Sequence, residues 1–174
     1  MKLKIKVKKY SEHLIFPVII KKGEWIDLRA AEGFEIKAPT IESHKVDGKT
    51  VKKVNIPFNL IPLGIAIKLP KGFEAVVLPR SSTYKNHGII MANSKGVIDN
   101  SYCGDSDEWK FPALSLKDGF VNYNDRICQF RIQLSQKATV WQKLKWFLSS
   151  GIKLIEVESL GSNNRNGFGS TGMK

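Results

Sequence analysis

The chain has 174 residues, 42% of them apolar, 25% charged and 10% aromatic. That suffices for one domain that buries roughly 70% of its unfolded surface without a disulfide or metal staple. Fourteen glycines and seven prolines exclude a collagen, a linker or a low-complexity chain, and no apolar run approaches the ~18 residues of a membrane span. A net charge of +12 points to an anionic partner: nucleic acid, a lipid surface or a phosphorylated small molecule, with solubility alone as the plain alternative.

The basic start, MKLKIKVKKY, is followed by Ser11, Glu12 and His13, so no apolar signal region forms and no secretory signal is expected. Lys2, Lys4, Lys6 and Lys8 alternate with Leu3, Ile5 and Val7. Period two predicts a strand with one wet face, read as an edge strand whose lysines discourage further pairing. Short strands are predicted at 15–20 and 24–30, and the Asp47-Gly48 pair between polar-apolar arms predicts a hairpin. Alternation over 54–69 turns at Pro70-Lys71-Gly72 into a strand at 74–78. Further strands are expected near 88–92, 96–98, 111–116, 126–134 and 153–157. Many short strands separated by turn residues define an all-β barrel or sandwich.

One stretch breaks the pattern. Val140, Trp141, Leu144, Phe147 and Leu148 fall at helical spacing within 138–150, flanked by Lys137, Lys143 and Lys145. Such a helix packs on its own domain, or lies on a membrane or a partner. The last fourteen residues, GSNNRNGFGSTGMK, carry too few apolar groups to fold alone and need a ligand or another subunit to lie on. Their GxGxxG spelling has no helix after it, so a dinucleotide-binding reading fails, whereas a glycine loop wrapping phosphate fits. Cys103 and Cys128 form no CxxC and the three histidines are scattered, so no zinc site is drawn and a reduced, cytoplasmic setting is the default.

Five clusters hold chemistry. WIDLRA places a carboxylate inside an apolar strand, where it must be paired, hydrogen-bonded or near a metal. LPRSST offers a guanidinium fork, hydroxyls and free amides suited to phosphate. In GVIDNSYCGD a hairpin is expected to run from Val97 through Asp99-Asn100-Ser101 to Tyr102, closed at Gly104. There Asp99 is either a general base or a turn residue bonding its own backbone. NDRICQ and the tail, with Arg165, Phe168, Ser170 and Thr171, complete the set.

In this order WIDLRA, PRSS, GVIDNSYCGD, NDRICQ and RNGFGSTG resemble the five motifs of the trimeric deoxyuridine triphosphatases (dUTPases), from about residue 24 to the C-terminus. SSTYKNHGI, NSKGVID and the Asp-x-Trp after the third motif are most similar to members from Gram-positive bacteria and their phages. The resemblance implies a distorted jelly-roll subunit over 1–160 with a closing arm over 161–174. It also implies a homotrimer whose sites are shared among chains, the arm crossing to a neighbour, and Mg²⁺-assisted hydrolysis of dUTP to dUMP and pyrophosphate. That activity limits uracil in DNA and supplies dUMP for thymidylate synthesis.

By motif position, Asp99 would activate the water that attacks the α-phosphorus. Backbone groups of Gly96, Val97, Ile98 and the residues through Tyr102, with Asn93 nearby, would read the uracil edge, and Tyr102 would stack under the deoxyribose. Arg80, Ser81, Ser82 and Gln129 would hold phosphates, and Asp27 would orient waters on the Mg²⁺. Phe168 would cover the base, while Arg165, Gly169, Ser170 and Thr171 close over the outer phosphates.

Two positions depart from the family pattern. Asn163 stands where many relatives carry the arginine of the fifth motif, Arg165 lying three residues before Phe168; and Asn124 replaces the usual glycine of the fourth. The 41–55 hairpin and the 138–150 helix lie outside the motifs, the latter a candidate protein-binding surface. Alternatives from other classes are dCTP deamination on the same fold, or a nucleotide-gated regulatory binding protein. Neither a specific nucleic-acid partner nor a membrane is expected, and the setting would be a bacterial or phage-infected cytosol.

Overall fold

A computed structural model describes residues 2–19, 23–165 and 167. Phe168, Gly169, Ser170 and Thr171, assigned above to the nucleotide, lie outside them. The chain is all-β, a jelly roll of short strands about one apolar core.

Strand β1 (Leu3–Lys9) buries Leu3, Ile5 and Val7 and leaves Lys4 and Lys6 in solvent, as the alternation predicts. It is not an edge strand. Strand β14 (Ile152–Glu156) runs parallel on one side and β7 (Ile65–Lys68) antiparallel on the other. The lysines mark a wet face and say nothing about the sheet's rim, because the edge is set by pairing and not by side-chain direction. Residues 15–19 form no strand, and Pro17 cannot donate to a ladder.

The sheet that carries the chemistry has the order β10-β8-β13-β2. Its members are β2 (Ile26–Arg29), β8 (Phe73–Pro79), β10 (Gly96–Asp99) and β13 (Arg126–Leu134). Apolar residues of β2, β8 and β13 face inward, and Trp109 meets Phe130 edge-on at 5.3 Å in the middle of the core. Strands β6 (Phe58–Pro62), β11 (Lys110–Ser115) and β9 (Ile89–Met91) form a second sheet, and β3 (Phe34–Ile36) pairs with β12 (Gly119–Val121). The sequence reading found neither β3 nor β12, nor the short helix α1 (Thr83–His87).

Two elements stand off this body. Among the described strands, β4 (Thr40–Val46) and β5 (Lys49–Asn55) pair only with each other, and every residue of both is exposed. Their turn is the one the Asp-Gly pair predicts, with φ of 49° at Asp47 and 74° at Gly48. Helix α2 (Val140–Phe147) starts at Thr139 with a reciprocal cap: Thr139 N–H donates to Gln142 Oε1 at 2.8 Å, and Gln142 N–H donates to Thr139 Oγ1 at 3.4 Å. The helix forms where expected, but its apolar stripe faces outward: Trp141 is 79% and Phe147 84% exposed. What docks is the opposite side. Trp146 meets Phe73 edge-on at 5.4 Å, and Gln142 fills the space beside Gly72, whose φ of 83° suits glycine.

Candidate active site

Period two in β2 puts Ile26 and Leu28 in the core and Asp27 and Arg29 outside. Register then aligns Asp27 with Gln129 of β13, and Gln129 with Leu78 of β8. A bulge between Arg126 and Cys128 turns Arg126 toward the same place. Asp27 accepts from Arg80 Nε at 2.8 Å through Oδ1 and from Arg126 Nη1 at 3.1 Å through Oδ2. Arg29 stands close by. Burial, then the charge of Arg126, push its pKa below the ordinary arginine value. Three guanidiniums around one carboxylate leave an excess of positive charge suited to a polyphosphate. Arg80 is braced from behind: its N–H donates to Thr83 Oγ1 at 2.9 Å, and the Thr83 hydroxyl donates to the Ile127 carbonyl at 2.7 Å. Ser82 Oγ lies 3.5 Å from Arg80 Nη1, and Ser81 is exposed on the same turn. Gln129 donates to the Pro79 carbonyl at 3.3 Å.

The third motif sits elsewhere. Strand β10 is an edge, paired only with β8 among the described strands, so the outer side of Gly96, Val97 and Ile98 faces no other strand. A flat ligand with alternating donors and acceptors matches such an edge. Asn93 lies exposed on the turn that feeds it. No hairpin follows: after Asp99 the chain turns on its own side chain, with Ser101 N–H donating to Asp99 Oδ1 at 2.7 Å, the Ser101 hydroxyl bonding the same oxygen, and Tyr102 N–H donating to the Asp99 carbonyl at 3.2 Å. The turn-residue reading of Asp99 therefore holds within this chain, alongside any chemical role. The Arg165 guanidinium reaches Asp99 Oδ2 at 2.5 Å. Partial burial alone would raise the Asp99 carboxyl, but Ser101 and then Arg165 outweigh it and hold it below the usual carboxylate range. Tyr102 donates to the Glu108 carbonyl at 2.8 Å, and burial with the nearby Asp107 and Glu108 charges pushes its phenol up to about 12.

The structure thus gathers Asp27, Arg80, Ser82 and Gln129 at one end of β8, and Asp99, Tyr102 and Arg165 at the other. Asp99 is in register with Glu74, six residues from Arg80 along β8, which at ~3.3 Å per residue separates the halves by about 20 Å. Arg126 and Arg29 were missed as site residues although both stand inside quoted motifs; their signal was charge in strands next to an acidic position.

The dUTPase family model matches residues 31–145, and the chain belongs to the dUTPase family. It is 44% identical over 172 residues to the SPbeta prophage-derived deoxyuridine 5'-triphosphate nucleotidohydrolase of Bacillus subtilis, covering 99% of this chain and 100% of that one. Among solved structures it resembles the dUTPase of Streptococcus mutans, with a TM-score of 0.61 at 18% identity over 77% of this chain and 98% of that one. It also resembles a mutant dUTPase of Staphylococcus aureus phage phi11 described for its structural Mg(II) ion, with a TM-score of 0.56 at 15% identity over 78% and 94%.

Proposed function

We propose that the chain hydrolyses dUTP to dUMP and pyrophosphate in sites built between copies of itself in a homotrimer. The observation that carries this reading is the position of Asp99, at the end of an edge strand whose outer backbone groups face no strand, beside a turn that holds its carboxylate ionised. An ionised carboxylate accepts a proton from water, and the water oxygen bonds the α-phosphorus as the bridging bond to the β-phosphate breaks. General-base action of this kind contributes ~10²–10⁴ in rate. The backbone of Gly96 through Tyr102, with Asn93, reads the uracil edge, where cytosine would leave a donor or acceptor unpaired. The Tyr102 ring lies under the deoxyribose. Arg80, Ser81, Ser82 and Gln129, joined by Arg126, hold the phosphates.

Since about 20 Å separates the two halves along one sheet, a single chain brings only half of this machinery to one nucleotide. A neighbour's arginine cluster facing this chain's Asp99 completes it. In this reading residues 1–160 form the barrel and 161–174 the arm that closes the site, with Phe168 over the base and Arg165, Gly169, Ser170 and Thr171 at the outer phosphates.

The donor set suits Mg²⁺ carried in by the substrate. No group of three or more His, Cys, Asp or Glu is placed to cage a metal among the described residues, and each oxygen of Asp27 is already bonded to a guanidinium. Each Asp27 oxygen keeps a further lone pair, with which Asp27 would orient metal-bound water, as a cation that keeps several waters and binds phosphate oxygens requires. Bound there, the ion would neutralise charge on the triphosphate. Among the described residues no helix is long and apolar enough to cross a membrane, and the free thiols of Cys103 and Cys128 suit a reducing cytosol.

The test is turnover in ¹⁸O-water. Attack at the α-phosphorus puts the label in dUMP. Label in pyrophosphate, or no pyrophosphate released from dUTP, would refute the reading.

A further inference from the structure

Helix α2 is held to the barrel by Trp146 and Gln142, and this fixes where its other residues point. At 3.6 residues per turn, Phe147, Val140, Leu144, Leu148 and Trp141 fall within an arc of about 120° on the far side. All five are exposed, Val140 to 78%. Leu144, Leu148 and Trp141 also line a groove of about 290 Å³ with Leu3, Lys145 and Ser149. Two exposed aromatic rings and three aliphatic side chains in one stripe make a contiguous apolar patch of the kind that marks an interaction site.

The rim of the stripe is basic. Lys143 stands about 40° beyond Phe147, and Lys145 about 40° beyond Trp141, so a lysine borders each long edge. From Arg126 to Ile155 the chain carries six basic residues and no acidic one. Lys137, Lys143, Lys145 and Lys153 are exposed, as are Lys2 and Lys4, which flank Leu3 in the chain. None of these lysines makes an ion pair among the described residues.

We propose that the α2 stripe docks on an anionic lipid surface, with its apolar side chains below the headgroups and its lysines at the headgroup phosphates. Three features favour lipid over other occupants. A rim of one sign lacks the alternating charges that set register between two proteins, and it matches the diffuse negative charge of a leaflet. Pairing of two α2 stripes from separate copies would set lysine edges against lysine edges, a like-charge contact that weakens association. A Trp, Phe and Leu face bordered by lysines is the pattern of helices that lie in the membrane plane, reaching ~5–10 Å into the boundary with the acyl chains. Lysine stems extend along such an apolar face and keep their ammoniums at the phosphates. The sequence has no spanning run and no membrane is expected from it, but a helix lying in the headgroup layer needs no span. The proposal does not depend on the reaction at Asp99.

Co-sedimentation with vesicles tests it. The full chain is spun with sucrose-loaded vesicles of phosphatidylcholine alone, or of phosphatidylcholine with phosphatidylglycerol. At low salt, partition onto the anionic set should be at least about tenfold stronger, and it should fall as salt is raised. Trp141→Ala combined with Phe147→Ala should lower that partition about tenfold, with the unfolding midpoint unchanged. A chain of net charge +12 adsorbs through charge alone, so salt-sensitive binding that the double variant keeps in full would overturn the inference. Equal binding to both vesicle sets would also overturn it. Binding to neither would do the same and leave the stripe to a protein partner. Fluorescence that wild type shows and Trp141→Phe lacks reports on Trp141 directly. A blue shift and protection from acrylamide on adding anionic vesicles are expected. Full protection without lipid would mean that another copy covers the stripe, and protection by a DNA oligonucleotide but not by vesicles would assign it to nucleic acid; either result would sink the proposal.

Discussion

The two ends of β8 hold their carboxylates in opposite ways. At the Pro79 end Asp27 is tied to two guanidiniums, Arg126 at the start of the neighbouring β13 and Arg80 just past the end of β8, in a site set by register. At the Phe73 end Asp99 is tied to the serine two residues on and to an arginine 66 residues away. The first arrangement is fixed by the sheet and gathers positive charge. The second includes a partner on a terminal segment, so one of its bonds is exchangeable. The proposed roles suit the difference: a phosphate cradle needs permanence, and a base needs its cation to leave.

The largest effect that separates the two ends is expected from Asp99→Asn. It removes the proton acceptor while retaining a turn-forming side chain, so turnover should fall ~10²–10⁴ with dUTP binding retained in calorimetry; near-normal turnover would mean that Asp99 is only a turn residue. Truncation after Gly161 is next. A folded trimer with roughly 10²-fold lower kcat is expected, since closure and orientation are lost while the barrel stays, and full activity would show that the arm does no work in the reaction.

Smaller in size but sharper is the pH dependence. The Asp99 carboxyl is held low in the free chain, so under the proposed mechanism it serves as the ionised base until pH falls through that depressed value. Arg165→Ala removes a nearby cation, raises the carboxyl, and should move the acid limb of kcat/KM, which reports the free enzyme, to higher pH. An unmoved limb would mean that the arginine is not on the base in solution. The smallest expected effect concerns α2. Trp146→Ala should cost about 2 kcal/mol in denaturant unfolding because its ring packs on Phe73, whereas Phe147→Ala, 84% exposed, should stay within ~0.5 kcal/mol. Equal losses would place the outward stripe against the body after all.

Local signals were legible where local physics decides. The lysine alternation gave β1, the Asp-Gly pair gave the β4–β5 turn with both φ values positive, and five motifs in order pointed to the family that the comparisons bear out. What sequence could not carry was pairing. Nothing in KIKVK says that both its edges are filled, nothing in Val140–Leu148 says that Trp146 and Gln142 are the docking residues, and the Asp107–Arg165 and Asp27–Arg126 contacts join positions far apart in the chain. Such contacts follow from topology, which short-range periodicity does not encode.

Among the described strands the β4–β5 ribbon pairs only with itself, and all of its strand residues are exposed on the single chain. A two-stranded ribbon without a packed face is marginally stable, so its amides should exchange with deuterium long before those of β8 or β13. This segment is therefore expected to tolerate insertion, deletion or an appended reporter, with barrel unfolding and dUTP turnover unchanged when measured.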